Sequence, residues 1–144
     1  MELKEVYVEN FKSLKKSRIK IGKFNVVVGA NASGKSNLVE IFKLLCRIYV
    51  EKADNPFLDW RGYRNVVFGH KEELPIKISL KFEDKYDILF EVEISGSGGR
   101  FEIIKEIFVV ADKLRILRQN IQKINFAQMV DICNISDFAQ KSGG

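Results

Sequence analysis

The chain has 144 residues, of which 46% are hydrophobic, 30% charged and 11% aromatic, with a net charge of +5. That profile suits one folded domain and excludes a disordered or collagen-like chain. No apolar run approaches the roughly 18 residues needed to cross a bilayer, so no membrane partner is expected.

The start of the chain carries most of the net positive charge: residues 1–23 hold seven basic and three acidic side chains. A basic end of this kind calls for an anionic partner, either nucleotide phosphates or nucleic acid, or else it solvates an edge strand. Within it, Val6 and Val8 and then Ile19 and Ile21 alternate with charged neighbours, the period of half-buried strands. They predict two short antiparallel strands joined across Asn10–Ser17. Phe24-Asn25-Val26-Val27-Val28 runs on without alternation, as a central strand buried on both faces does. After a glycine-bearing loop to Gly34, Leu38, Val39, Ile41, Phe42, Leu45, Ile48 and Tyr49 follow helical spacing. A mostly buried helix is expected from Ser36 to about Val50.

Residues 51–74 mix turn formers with apolar residues and read as irregular. Beyond Pro75, Ile76, Ile78, Leu80 and Phe82 alternate with polar residues, and Ile88, Phe90, Val92 and Ile94 repeat the pattern. Phe101 to Val110 makes a third strand whose alternation breaks at Lys105, completing an antiparallel meander. Over 111–135, Leu114, Leu117, Ile121 and Ile124 favour a helix at about 113–131. The competing reading turns the chain at Ala111-Asp112-Lys113 and returns Leu114–Leu117 as a fourth strand. Cys46 and Cys133 both lie among apolar residues and no signal-type apolar stretch follows Met1, so reduced thiols in a cytoplasmic protein are expected.

The chemistry centres on Gly29-Ala30-Asn31-Ala32-Ser33-Gly34-Lys35-Ser36, which fits the phosphate-loop pattern of glycine, four residues, then Gly-Lys-Ser/Thr. Glycines allow the tight turn that points successive N–H groups inward as a nest for phosphate oxygens. The following helix adds unpaired N–H groups and the positive end of its dipole. Lys35 can then reach the β and γ phosphates, and the Ser36 hydroxyl can ligate Mg²⁺. With glycine near 7% of residues, such a match arises by chance in about one chain of this length in 200. ATP and Mg²⁺ are therefore the expected ligands, with Gly29 to Asn37 as the binding segment.

Glu9-Asn10-Phe11-Lys12-Ser13-Leu14, Ile19-Lys20-Ile21 and Phe24 to Asn37 together resemble the N-terminal lobe of ABC-type ATPases. The resemblance is to the structural-maintenance-of-chromosomes, RecF-like and OLD-like branch. It implies an α/β P-loop lobe with a mixed sheet, a buried strand-loop-helix unit and an antiparallel meander. It divides the chain into a lobe at 1–110 and a helical or partly flexible extension at 111–144. Within the lobe, 1–50 holds the hairpin, phosphate loop and helix, and 75–110 the antiparallel subdomain. The resemblance also implies that Asn31 contacts the γ phosphate and that Phe11, Lys12 and Ser13 lie near base and sugar. Hydrolysis would then need a second lobe and a second head, whether or not a homodimer supplies it. Ala32 stands where many members of the branch have glycine.

The branch's apolar strand ending in Asp-Glu is not found. Asp112 follows an apolar strand but Lys113 takes the place of glutamate, which leaves Asp112 and Glu106 as weak catalytic candidates and no assigned catalytic residue. Gln119, Gln122 and Gln128 compete for the magnesium-sensing glutamine, and Ser142-Gly143-Gly144 reads as a tail rather than a signature. His70 reads as a loop histidine, and Glu91 and Glu93 as residues solvating one strand face. Two functions rival ATP hydrolysis: a non-enzymatic nucleotide-binding interaction module, and weak, sequence-independent DNA binding through the basic N-terminal edge.

Overall fold

The computed structural model describes residues 2–21, 32–83, 87–111 and 116–119. Six strands form one sheet: β1 (Glu2–Phe11), β2 (Leu14–Lys20), β3 (Ile76–Glu83), β4 (Asp87–Ser95), β5 (Glu102–Ala111) and β6 (Ile116–Gln119). Their order is β2-β1-β3-β4-β5-β6, and every pairing among these strands is antiparallel. The buried strand expected at Phe24–Val28 lies outside the described residues. One long helix, α1 (Ala32–Tyr49), covers the apolar face.

Alternation sets that face. Val6 and Val8 of β1 sit opposite Leu80 and Ile78 of β3, which sit opposite Phe90 and Val92 of β4. All are buried, together with Ile76, Phe82 and Ile94. Leu38, Ile41, Phe42, Leu44, Leu45 and Ile48 of α1 close over them. At about 25 cal/mol per Å² of apolar surface removed from water, this cluster is the main stabilising element of the domain. Tyr49 finishes the helix by placing its ring edge-on to Phe90, with centroids 5.7 Å apart. Its hydroxyl donates to Glu106 Oε1 at 2.8 Å, and burial first, then this bond, pushes the phenol well above its ordinary pKa.

Two β-bulges correct a simple period-two reading. Leu3 pairs with Phe82 and Glu5 with Lys81, so Lys4 is the extra residue that turns Leu3 back to the core. On β5, Ile94 faces Ile103 while Glu93 faces Lys105, so Ile104 is extra. That bulge is why the alternation breaks at Lys105.

The first hairpin is tighter than expected. Phe11 pairs with Leu14, leaving Lys12-Ser13 as a two-residue loop in place of a connection across Asn10–Ser17. The segment expected to be irregular contributes Phe57, Tyr63, Val66 and Val67 to the core through single 3-10 turns.

Residues 116–119 are strand β6, paired with Phe108 to Ala111, so the helix expected at 113–131 is corrected over that stretch. Pairing with a neighbouring strand outweighs the local helical spacing. Residues 120–131 lie outside the described residues. Cys46 is disulfide-bonded, which corrects the reduced thiol expected there, because apolar neighbours in sequence do not report which sulfur comes near in space. Cys133 lies outside the described residues. Among the described residues no helix is long and apolar enough to cross a membrane.

Candidate phosphate-binding site

The helix begins at Ala32, four residues before the expected start, so Ala32, Ser33, Gly34, Lys35 and Ser36 are the backbone of its first turns. Gly29, Ala30 and Asn31 lie outside the described residues. An early start follows from the chemistry of the motif, since the first four N–H groups of a helix have no internal partner and can serve the nest. No acidic residue occupies the first turn, where one would complement the dipole and compete with an anion. Asn37 follows, buried, at the point where the helix enters the core.

The hairpin tip stands beside this helix. Lys12 Nζ lies 3.9 Å from Glu40 Oε1, and position 40 is one helical turn along α1 from position 36. The structure thus brings Lys12 beside α1. Phe11 does not face out: it is fully buried and bridges to Val67. It anchors the tip, with Lys12 and Ser13 forming the loop.

The tip holds an unusual backbone. Asn10 and Lys12 have φ of 60° and 51° on either side of Phe11. Asparagine tolerates this region, while lysine there costs roughly 1–2 kcal/mol. A two-residue hairpin loop calls for positive φ at its first position, because only that twist matches the strands. External bonds hold it: the Lys12 N–H donates to the Val66 carbonyl at 2.6 Å, and Asn10 Nδ2 donates to the Pro75 carbonyl at 2.9 Å.

The segment supplying those carbonyls is itself clamped. Tyr63 stacks edge-on against Phe57 at 5.0 Å and its hydroxyl donates to the Leu74 carbonyl. Gly96 leaves room for the Tyr63 ring, since a Cβ there would stand 2.5 Å from Cγ of the tyrosine. On the helix side, Trp60 Nε1 donates to Glu40 Oε2 at 2.7 Å. Asp59 accepts from Arg47 Nη2 at 2.7 Å, and this bond first, with Lys43 nearby, holds its carboxyl below the ordinary range. Glu40, Trp60 and Val66 were not legible as site residues. The one available signal was that the single tryptophan falls in a segment without any period.

Other candidates fall elsewhere. His70 is exposed and reaches the Arg64 carbonyl through Nδ1 at 2.9 Å. Glu106 is occupied by Tyr49 on the core face. Glu91 accepts from Ser79 Oγ at 2.8 Å on the opposite face. Gln119 ends β6, whereas Asp112, Gln122, Gln128 and Ser142-Gly143-Gly144 lie outside the described residues.

A family model described as "AAA ATPase domain" matches residues 1–141. The chain belongs to the AAA ATPase domain family. Membership makes it an ATPase-type, nucleotide-binding domain, and its match covers the hairpin, α1 and the meander alike. Among curated proteins, the DNA replication and repair protein RecF of Caldanaerobacter subterraneus subsp. tengcongensis is 48% identical over 46 residues. RecF of a Thermoanaerobacter species is 46% identical over the same length. Each match covers 31% of this chain but only 13% of the relative. A solved chain described as "Structural biochemistry of ATP-driven dimerization and DNA stimulated activation of SMC ATPases" superposes with a TM-score of 0.50. It is 16% identical, with 94% of this chain and 80% of that one covered, and shows that the two share a P-loop fold.

Proposed function

We propose that this AAA ATPase domain binds ATP with Mg²⁺ as the N-terminal lobe of an ABC-type head, and that hydrolysis needs a second lobe and a second head. The observation that carries this reading is the phosphate-loop sequence running into the bare N-terminal turn of α1. Gly29 to Asn37 would cradle the phosphates, with Lys35 as the point charge and Lys12 and Ser13 approaching from the hairpin tip. Mg²⁺ fits this donor set, because it usually takes one or two protein oxygens and completes its shell with phosphate and water. Ser36 would hold it, and the ion would neutralise charge on the phosphate oxygens.

Grip alone gives affinity without much rate, since uniform binding lowers ground and transition states together. Phosphoryl transfer also needs a group that orients water, and no described side chain near α1's start is placed for it. The isolated chain is therefore expected to release phosphate near background. The dimer partner is supported by the ATP-driven dimerisation named for the structural neighbour. Cytoplasmic location accords with the likeness to DNA replication and repair proteins, though the Cys46 disulfide is atypical of that compartment.

Calorimetry tests the reading. ATP·Mg²⁺ should bind, and Lys35→Ala should weaken it roughly 10- to 150-fold, the worth of one charge-assisted hydrogen bond. Equal affinities would remove the phosphate-loop assignment. GTP should show no large advantage.

DNA binding is a second reading with its own observation. Lys15, Lys16, Arg18 and Lys20 are exposed on β2, although Arg18 is already held 3.1 Å from Glu5. Weak duplex binding with about two to four phosphate contacts should fall with salt at a log–log slope of about −0.9 per contact. Undetectable binding at low ionic strength would discard it.

A further inference from the structure

The exposed side of α1 and the Leu58–Trp60 turn form a relay that ends on Lys12. Positions 40, 43 and 47 lie along one face of the helix, and each side chain engages this turn. Arg47 and Lys43 hold Asp59, at 2.7 and 3.7 Å. Lys43 Nζ also lies 5.7 Å from the Trp60 ring centroid. Held in this way, Trp60 aims its N–H at Glu40, and the other oxygen of that carboxylate faces the Lys12 ammonium at 3.9 Å. The Val66 carbonyl fixes the Lys12 backbone from the same connecting segment.

We propose that Glu40 and Trp60 are positioning residues for Lys12, fixing its ammonium beside the phosphate-loop helix so that it meets bound nucleotide already oriented. The proposal rests on the nucleotide site proposed above and adds what sets its geometry. A lysine on a four-carbon stem otherwise spreads over many rotamers, and ordering it costs affinity at the moment of binding. Ordering it beforehand removes that cost. An ammonium has three donors, so Lys12 can keep Glu40 and still donate to a ligand oxygen.

The sign of one substitution separates this role from simple electrostatics. Glu40 is an anion close to where a polyanion would bind, so through-space repulsion alone predicts that Glu40→Gln tightens ATP binding. Positioning predicts the reverse. By calorimetry with ATP·Mg²⁺, Glu40→Gln should weaken binding about 2- to 5-fold, the range of a partly exposed ion pair. Trp60→Phe, which keeps Glu40 and most of the ring, should weaken it in the same direction by less. In a Lys12→Met background, neither change should have an effect. Because Trp60 is the single tryptophan, its emission should change on adding ATP·Mg²⁺ to the wild type and stay constant in Lys12→Met.

Lys35-dependent ATP binding that Glu40→Gln tightens or leaves unchanged would overturn the proposal while the nucleotide reading stands. So would a Glu40→Gln loss that persists in Lys12→Met, or a Trp60 emission indifferent to bound ATP. Wild-type protein that binds no ATP at all would instead overturn the nucleotide reading, and this proposal with it.

Discussion

The two faces of the sheet are built to opposite rules. The inner face is apolar and closed: Val6, Val8, Ile78, Leu80, Val92 and Ile94 have no measurable exposure. Among the described residues, Asn37 and the Tyr49–Glu106 bond bring polarity to it. The outer face is a grid of charges. Across five strands the register sets Lys16 opposite Glu9, Glu9 opposite Lys77, Lys77 opposite Glu93 and Glu93 opposite Lys105. Lys77 Nζ lies 3.7 Å from Glu9 and 3.8 Å from Glu91. The inner face supplies stability, in proportion to area removed from water. The outer face supplies little energy per pair but specifies register, because a one-residue slip would carry every charge into the core.

That contrast breaks most visibly at Phe11. Its ring is fully buried at the joint between the first hairpin and the connecting segment, where it bridges to Val67. Phe11→Ala should cost about 3–5 kcal/mol in chemical denaturation, among the larger losses a single truncation produces. A loss under about 1 kcal/mol would show that the tip is not part of the core. Next in size is Gly96→Ala. The new methyl would meet Cγ of Tyr63 at 2.5 Å, and that ring is pinned by Phe57 and by its bond to Leu74. Overpacking of this kind costs about 1–3 kcal/mol. An unchanged denaturation midpoint in Gly96→Ala would mean the ring moves freely.

The same contrast decides what could be read in advance. Ile76 to Ile94 was legible because one face is apolar and the other charged, so period two shows in the sequence. The bulges at Lys4 and Ile104 were not, since an extra residue declares itself only through its partner strand. Strand β6 was one of two open readings, and pairing with β5 decided it against the helical spacing of Leu114 and Leu117. Phe57, Tyr63, Val66 and Val67 enter the core from a segment without any period. The phosphate-loop pattern is local in sequence, and so is legible there whatever the fold around it. The Glu40–Trp60 arrangement behind Lys12 depends on contacts between distant segments, which no local pattern encodes.

The smallest effect sharpens the comparison from the outer side. Glu5 accepts from Arg18 at 3.1 Å and faces Lys81 at 3.2 Å, with its own side chain only 12% exposed. Burial alone would raise its pKa, but the bonds to Lys81 and Arg18 outweigh that and hold it below the ordinary value. A carboxylate lowered on folding contributes stability above its unfolded pKa, about 4.3 for glutamate, and loses it as pH falls through the folded value. Both cationic partners are more than half exposed, so water screens the pair and the contribution at pH 7 should be about 0.5–1 kcal/mol. Glu5→Gln keeps the shape and removes the charge. Its denaturation midpoint should therefore fall slightly below wild type at pH 7, and the difference should close at acid pH, once the wild-type carboxylate is protonated. It should also shrink in high salt. A difference that is equal at both pH values would assign Glu5 to packing, and the outer face would then follow the inner face's rule.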